Sequence, residues 1–311
     1  MANGSRHAMY YIEEVTYGTT PSNPAWTPIR HKSTTLGLTK ESVQSEELRS
    51  DRQIEDFRHG NYQIGGDMEV ELSYGTFDDI LEGVLCGDWV DLDPDTARDR
   101  LKAGTTRHSY SILRHFGDLD AGSAYHRFSG VEFTKLSLAV APNAIVSATL
   151  STIGQDLNLS ASAPSGSTYV TASTTSPFDS FSGTITEGGS SIAVVTELQI
   201  DLENGHEARF IVGDAQTLRP SIGRSNVTGT ISAYFENTTL LQKFISETES
   251  SLVFTLVDLD GNSYEFTVPR IKYTGGQPDV SGEGPIILSM PFQGLRDSTT
   301  GTNIYITRNP A

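Results

Sequence analysis

Apolar and polar residues alternate one for one, in short runs, along nearly the whole chain. EVELSY (69–74), FTKLSLAV (133–140), IVSATL (145–150), TELQIDL (196–202), TGTISAYF (228–235), SLVFTLVDL (251–259) and PIILSMPF (285–292) are the clearest of these runs. A period of two puts one face of an extended strand on a core and the other in water. Many such strands, divided by turn residues and drawn from 29 Gly and 13 Pro, predict an all-β sandwich or barrel. Asp260-Gly261 inside VDLDGNSYEF (257–266) marks a tight hairpin, and 117–128 reads as a longer turn of the same kind. Two segments break the period. In 76–86, Phe77, Ile80, Leu81, Val84 and Leu85 form one helical stripe, with Thr76 as the expected N-cap and Asp78 and Asp79 at the positive end of the helix dipole. In 238–247, Leu240, Leu241, Phe244 and Ile245 form another.

The elements recur in the same order. GNYQIGG (60–66) and GRSNVTG (223–229) share Gly, an aliphatic at +4 and Gly at +6. Each is followed by an alternating strand, one of the two helices, and further strands that turn back on themselves. This order predicts two tandem β domains from an internal duplication, with one short helix each. The expected division is 1–158, a Ser/Thr-rich linker at 159–177, and 178–311. The first domain carries an extra stretch near 88–104 that the second lacks.

The 311 residues carry 22 Lys+Arg against 39 Asp+Glu, a formal net charge of −17, which argues against a protein that grips nucleic acid through a basic patch. No apolar run is long enough for a transmembrane helix, and MANGSRHAMYYIEEV lacks the apolar core of a secretory signal. The lone cysteine, Cys86, excludes an intramolecular disulfide and a cysteine-built metal cage, and reads as a small core residue. No nucleophile elbow, phosphate-binding loop, zinc-protease motif or dinucleotide fingerprint occurs, and the seven histidines are scattered. DLDPD (91–95) and DLDGN (258–262) only superficially resemble calcium loops; twelve positions into the second stands Pro269, where an acidic ligand belongs. These features predict no catalytic site, no metal and no cofactor.

Residues 17–89, from YGTTPSNPAW to LEGVLCGDW, resemble the start of tail tube proteins from phages with long, non-contractile tails. GRSNVTGTISAYFENTTLLQKF with VDLDGNSYEFTVPRIKYTGG (within 223–276) resembles them also. The resemblance implies a structural virion protein, assembled in the host cytoplasm and resident in the tail. Its β-sandwich domains would build six-fold rings that stack into the conduit for the genome. Two such domains in one chain imply a homotrimer that stands for a hexameric ring. The implied partners are further copies of the chain, the tail terminator, tape measure and distal tail proteins, and double-stranded DNA in transit without specific binding. Alternatives of other kinds are the tube of a phage-related secretion or tail-like particle, and an extracellular carbohydrate-binding β-sandwich.

Two sets of residues follow as candidates. Along 67–74, Asp67, Glu69, Glu71 and Ser73 alternate with Met68, Val70, Leu72 and Tyr74. The apolar set belongs on the core, so the acidic set faces solvent, which in a closed ring is the bore or else the tube exterior. The matching positions of the second copy include Thr230 and Ser232, so acidic and neutral sectors are expected to alternate around a ring. The stretch 42–60 carries Glu46, Glu47, Arg49, Asp51, Arg52, Glu55, Asp56 and Arg58 without a sustained apolar stripe. It is expected to be a long loop, mobile in the free subunit and ordered between rings, with 205–223 as its counterpart.

Overall fold

The computed structural model describes residues 2–48, 50–93, 95–119, 124–180, 183–192, 194–280 and 282–311. In chain order, β1 (His7–Glu13), β2 (Ala25–Pro28), β3 (His31–Thr34), β4 (Gly37–Gln44) and β5 (Phe57–Glu71) lead into α1 (Asp78–Leu85). Then come β6 (Trp89–Asp93), β7 (Arg98–Lys102), β8 (Tyr110–Phe116), β9 (Tyr125–Val140), β10 (Ser147–Gly154) and β11 (Asp156–Ser160). The short strands β12 (Thr168–Tyr169), β13 (Thr184–Glu187) and β14 (Ser190–Ser191) precede β15 (Val195–Glu203), β16 (Glu207–Arg209) and β17 (Leu218–Ser221). The chain ends with β18 (Asn226–Tyr234), α2 (Thr239–Ile245), β19 (Ser250–Val257), β20 (Ser263–Tyr273), β21 (Gln277–Asp279), β22 (Ile287–Gly294) and β23 (Tyr305–Asn309). The protein is all-β, with one short helix in each half.

The two halves repeat one pairing scheme. In the first, β5 pairs with β10, β10 with β9, β9 with β8 and β11, and β8 with β1. In the second, β18 pairs with β22, β22 with β20 and β21, β20 with β19 and β23, and β19 with β13. A helix follows β5 and β18 alike. Register is kept as well: Asp67 lies opposite Ser151 and Glu71 opposite Ser147, while Thr230 lies opposite Pro291 and Tyr234 opposite Ile287. Gly66 to Gly229 is a step of 163 residues, and Ser147 to Ile287 a step of 140; the two offsets convert one pairing into the other.

The halves are also sewn together. The end of β9 pairs antiparallel with β15, from Val140 opposite Leu198 to Lys135 opposite Glu203, so β5, β10, β9, β15, β18 and β22 form one continuous sheet. On another edge β7 pairs with β23, Leu101 opposite Ile306. The stretch 88–104 is therefore a hairpin of β6 and β7 that adds two strands to the second half's sheet.

One apolar core underlies both halves. Met68, Val70, Leu136, Leu138, Ala148 and Leu150 come from the first half, and Leu198, Ile200, Val227, Ile231, Met290 and Phe292 from the second. Burial of this set is the main force holding the strands in register. Phe178, fully buried, sits where the halves meet: its N–H donates to the Leu72 carbonyl, its own carbonyl accepts from Val146, and its ring lies 5.4 Å from that of Tyr264.

The stripe of α1 is buried as its spacing predicts, with Phe77, Ile80, Leu81, Val84 and Leu85 at most 1% exposed. Its cap differs from expectation. Phe77 holds the N-cap position with no side-chain cap bond, because the Thr76 hydroxyl is taken up by Ser73 and Thr175. Cys86 closes the helix in the left-handed region (φ 51°), buried, and burial pushes its thiol up to about 11. By contrast α2 has no buried residue, and Ile245 is 63% exposed. Neither helix is long and apolar enough to cross a membrane.

The Ser/Thr-rich stretch is strapped to the first half. Thr168 and Tyr169 run parallel to Ala25 and Trp26, the Trp26 indole donates to Ser167, and Arg30 donates to the Thr175 carbonyl at 2.7 Å. At 258–262 the Asp258 carboxylate accepts from the Asp260 and Asn262 N–H groups, and Gly261 takes φ +92°, which makes this a tight turn.

Candidate assembly surface

The polar side of the continuous sheet is an ordered feature that the core does not explain. Opposed residues in antiparallel strands share a face, so cross-strand partners trace it from end to end. One row runs Asp67, Ser151, Lys135, Glu203. The next runs Glu69, Thr149, Ser137, Asp201, Thr228, Gln293. A third runs Glu71, Ser147, Ala139, Gln199, Thr230, Pro291, and Glu197 lies opposite Ser232. The candidates Asp67, Glu69, Glu71, Thr230 and Ser232 are thus brought onto one surface.

Ser73 leaves the row. It is fully buried, donates to Thr76 at 2.8 Å and bridges to Pro177. The strand ends at Glu71, and past that point the chain curls inward, so the alternation no longer assigns faces. The expected neutral second sector is also corrected. β15 sets Glu197, Asp201 and Glu203 beside Thr230 and Ser232, so carboxylates occur in both halves of the face. The signal was present in TELQIDLE, where Glu197, Gln199, Asp201 and Glu203 alternate with Leu198, Ile200 and Leu202.

Two lysines temper this acidity. Lys32 donates to Glu69 at 2.7 Å, which holds the Glu69 carboxyl below its ordinary value and the Lys32 ammonium above its own. Lys135 lies 3.0 Å from Asp201, which also accepts from Ser137. The Ser151 hydroxyl donates to Asp67 at 2.6 Å.

The stretch 42–60 is not a loop throughout. β4 and the first part of β5 form a hairpin whose arms pair as far as Gln44 opposite Phe57, which leaves 45–56 as its tip. Glu46, Glu47, Asp51, Arg52, Glu55, Asp56 and Arg58 all lie exposed on this hairpin. Arg58 pairs with Asp56 at 3.0 Å; Arg49 lies outside the described residues. The sequence reading missed the apolar side chains there: Val43, Leu48, Ile54 and Phe57 are each more than half exposed.

The counterpart at 205–223 is a shorter hairpin of β16 and β17. Its tip turns back on the first half, where the Tyr62 N–H donates to the Ala215 carbonyl at 3.0 Å. Glu132, on β9 and 2% exposed, anchors its base. Arg107 and Arg219 donate to the two carboxylate oxygens, and His206 approaches one of them at 3.3 Å. Burial pushes the Glu132 carboxyl up, but the hydrogen bonds from His206, Arg107 and Arg219 outweigh it and hold the group below its ordinary value.

The seam has a second polar lock. Both ends of α1 are held by the second half: Asp78 accepts from Tyr264 and Arg308, and the Val84 carbonyl accepts from Asn204 at 2.6 Å. Arg308 also donates to Asp99 at 2.6 Å and lies 4.8 Å over the Trp89 ring. Trp89 and Asp99 belong to the β6–β7 hairpin, so it supplies part of this lock.

Among the described residues no group of three or more His, Cys, Asp or Glu is placed to hold a metal ion. What the arrangement offers is surface: a broad polar sheet face, strand edges without a further strand, and a charged hairpin with four exposed apolar side chains.

No curated protein matches the chain. A solved structure described as the anti-feeding prophage baseplate, six-fold symmetrised, is similar over 35% of this chain and 85% of its own, at 13% identity and a TM-score of 0.27. The family described as phage tail tube protein matches residues 4–294. That match takes in the first half with its projecting hairpin, the β9–β15 seam and the second half as far as the end of β22: the chain belongs to the phage tail tube protein family and is a structural component of the phage tail.

Proposed function

We propose that the protein polymerises as stacked rings of three copies and forms the conduit through which the genome leaves the particle. The observation that carries this reading is the continuous sheet across β9 and β15. Two halves with the same pairing scheme, joined edge to edge, are a ready-made third of a six-fold ring. Such a ring would close the sheet into a barrel and remove its open edges, which are aggregation liabilities in a single copy. The two halves, 1–158 and 178–311 on either side of 159–177, would have arisen by duplication and stayed joined through one core and one sheet.

In such a ring the polar face lines the bore. Carboxylates there repel phosphates, and paired lysines keep the repulsion moderate, so DNA passes without sticking. The hairpin 37–64 would reach the neighbouring ring and bury Val43, Leu48, Ile54 and Phe57 there, with the charged residues around them giving weak, salt-sensitive pairs. The tail terminator, tape measure and distal tail proteins would meet the ends of the stack. The subunit carries out no catalysis in this reading. Electron microscopy of the purified, concentrated protein tests it: hollow tubes with three chains per ring are expected. Particles with any other chain count per ring, or none at all, would refute it.

A further inference from the structure

Resting on the tube reading, we infer that successive copies join by pairing Gly275–Val280 of one copy, antiparallel, with Thr34–Thr39 of the next. Gln277 then lies opposite Gly37, and Val280 opposite Thr34.

The seam inside the chain is the template. The partners of β10 and β22 show that β9 and the run through β20 and β21 are equivalent: Ala139 faces Ser147 as Asp279 faces Ile287, and Ser137 faces Thr149 as Gln277 faces Ser289. Both comparisons give a step of 140 residues. The partners of β5 and β18 show that β3 and β4 are the equivalent of β15: Ser33 faces Glu69 as Glu197 faces Ser232, and Leu38 faces Ile64 as Leu202 faces Val227. Both comparisons give a step of 164. Inside the chain Val140 faces Leu198 and Ser137 faces Asp201. The two steps turn these pairs into Val280 with Thr34 and Gln277 with Gly37.

Neither edge is taken by a further strand, although the Leu36 carbonyl accepts from the Arg114 side chain. Among the described residues β21 pairs only with β22, and β3 and β4 pair only with β5. Val280 is 71% exposed, although its equivalent Val140 is half-covered at the internal seam. The helices give a second observation. α1 is buried against the first half's own strands and tied at both ends by the second half, while its equivalent α2 has no buried residue. A next copy docked on this edge would supply the end ties that α2 lacks. Pro278 has no N–H, so this ladder carries at most one bond fewer than its template.

Paired cysteines test the register, since residues directly opposite in antiparallel strands lie within disulfide reach. Gln277→Cys with Gly37→Cys, and separately Val280→Cys with Thr34→Cys, are assembled into tubes and oxidised. Gly37 has ordinary backbone, and an added Cβ would meet only the Thr35 carbonyl oxygen, at an ordinary contact distance of 3.5 Å, so it accepts a side chain. Non-reducing gels should show two-chain and three-chain species for both pairs. Gln277→Cys with Thr39→Cys should give at least tenfold less, and Ser137→Cys with Asp201→Cys should link only within a chain. Well-formed tubes that do not cross-link at either pair, or that link equally out of register, overturn this inference and leave the tube reading intact. Failure of the unaltered protein to form rings overturns both.

Discussion

Glu132 is the residue whose loss should be felt most. It is one carboxylate held by two guanidiniums and an imidazole from three separate segments. Removing one partner of a buried ionic cluster leaves the others uncompensated, at about 3 kcal/mol or more. Glu132→Gln should therefore lower the free energy of unfolding by that amount in denaturant titrations, while Glu132→Asp should cost less. The same group sets an acid limit. Its folded value lies below the ordinary 4.5, so between the two values the unfolded chain binds more protons and stability rises with pH. The contribution is complete above about 4.5 and disappears as pH falls through the lowered value. The unfolding midpoint of the native protein should drop over that window, and that of Glu132→Gln should drop less. Phe178→Ala should cost about 3–5 kcal/mol, because its ring fills the core at the junction and no neighbouring chain can collapse into the space. Thermal unfolding of the purified variant measures this. Ser73 shows where residue-level reading stops: a period-two row assigns faces only while the strand lasts, and this one ends at Glu71.

Among the elements, the hairpin from β4 to β5 is the one whose removal should separate folding from assembly. Replacing 45–56 by Asn-Gly, which suits a two-residue turn, removes Leu48 and Ile54 but, among the described residues, none that is buried. The variant should keep its unfolding midpoint within about 0.5 kcal/mol of stability and form no tubes by microscopy. Tubes of normal length would exclude a stacking role. Strands over the core were legible because one face of each is apolar: β9, β15, β18, β19 and β22 all fall where the alternation puts them. The arms of this hairpin were not, since water on both faces leaves no period in SVQ or RHGNY. The β6–β7 hairpin hid for a similar reason. RDRLK contributes only Leu101 to the core, and nothing in its pattern names Ile306 as its partner.

For the whole molecule, the decisive substitution is Asp67, Glu69 and Glu71 together to Lys. It moves the net charge from −17 to −11, two units per site. All three side chains lie on the polar face, so the core is untouched. Tubes should assemble, and particles carrying them should deliver DNA poorly as phosphates are held by the lysines. Normal infectivity would place this face outside the channel. The pairing of β9 with β15, which makes that face continuous, was not legible: a junction between distant strands leaves no mark in either strand's own pattern. The β6–β7 hairpin has one more consequence. Within a chain the halves are clasped twice, at β9–β15 and at β7–β23. The proposed joint between copies would lack the second clasp, because α2 runs on to β19 with only four residues between them. In the ring of three copies proposed above, six joints of two kinds would follow, three clasped twice and three clasped once. Under that proposal, strain from bending would concentrate at the three single clasps, and the tube would bend as a three-segment body.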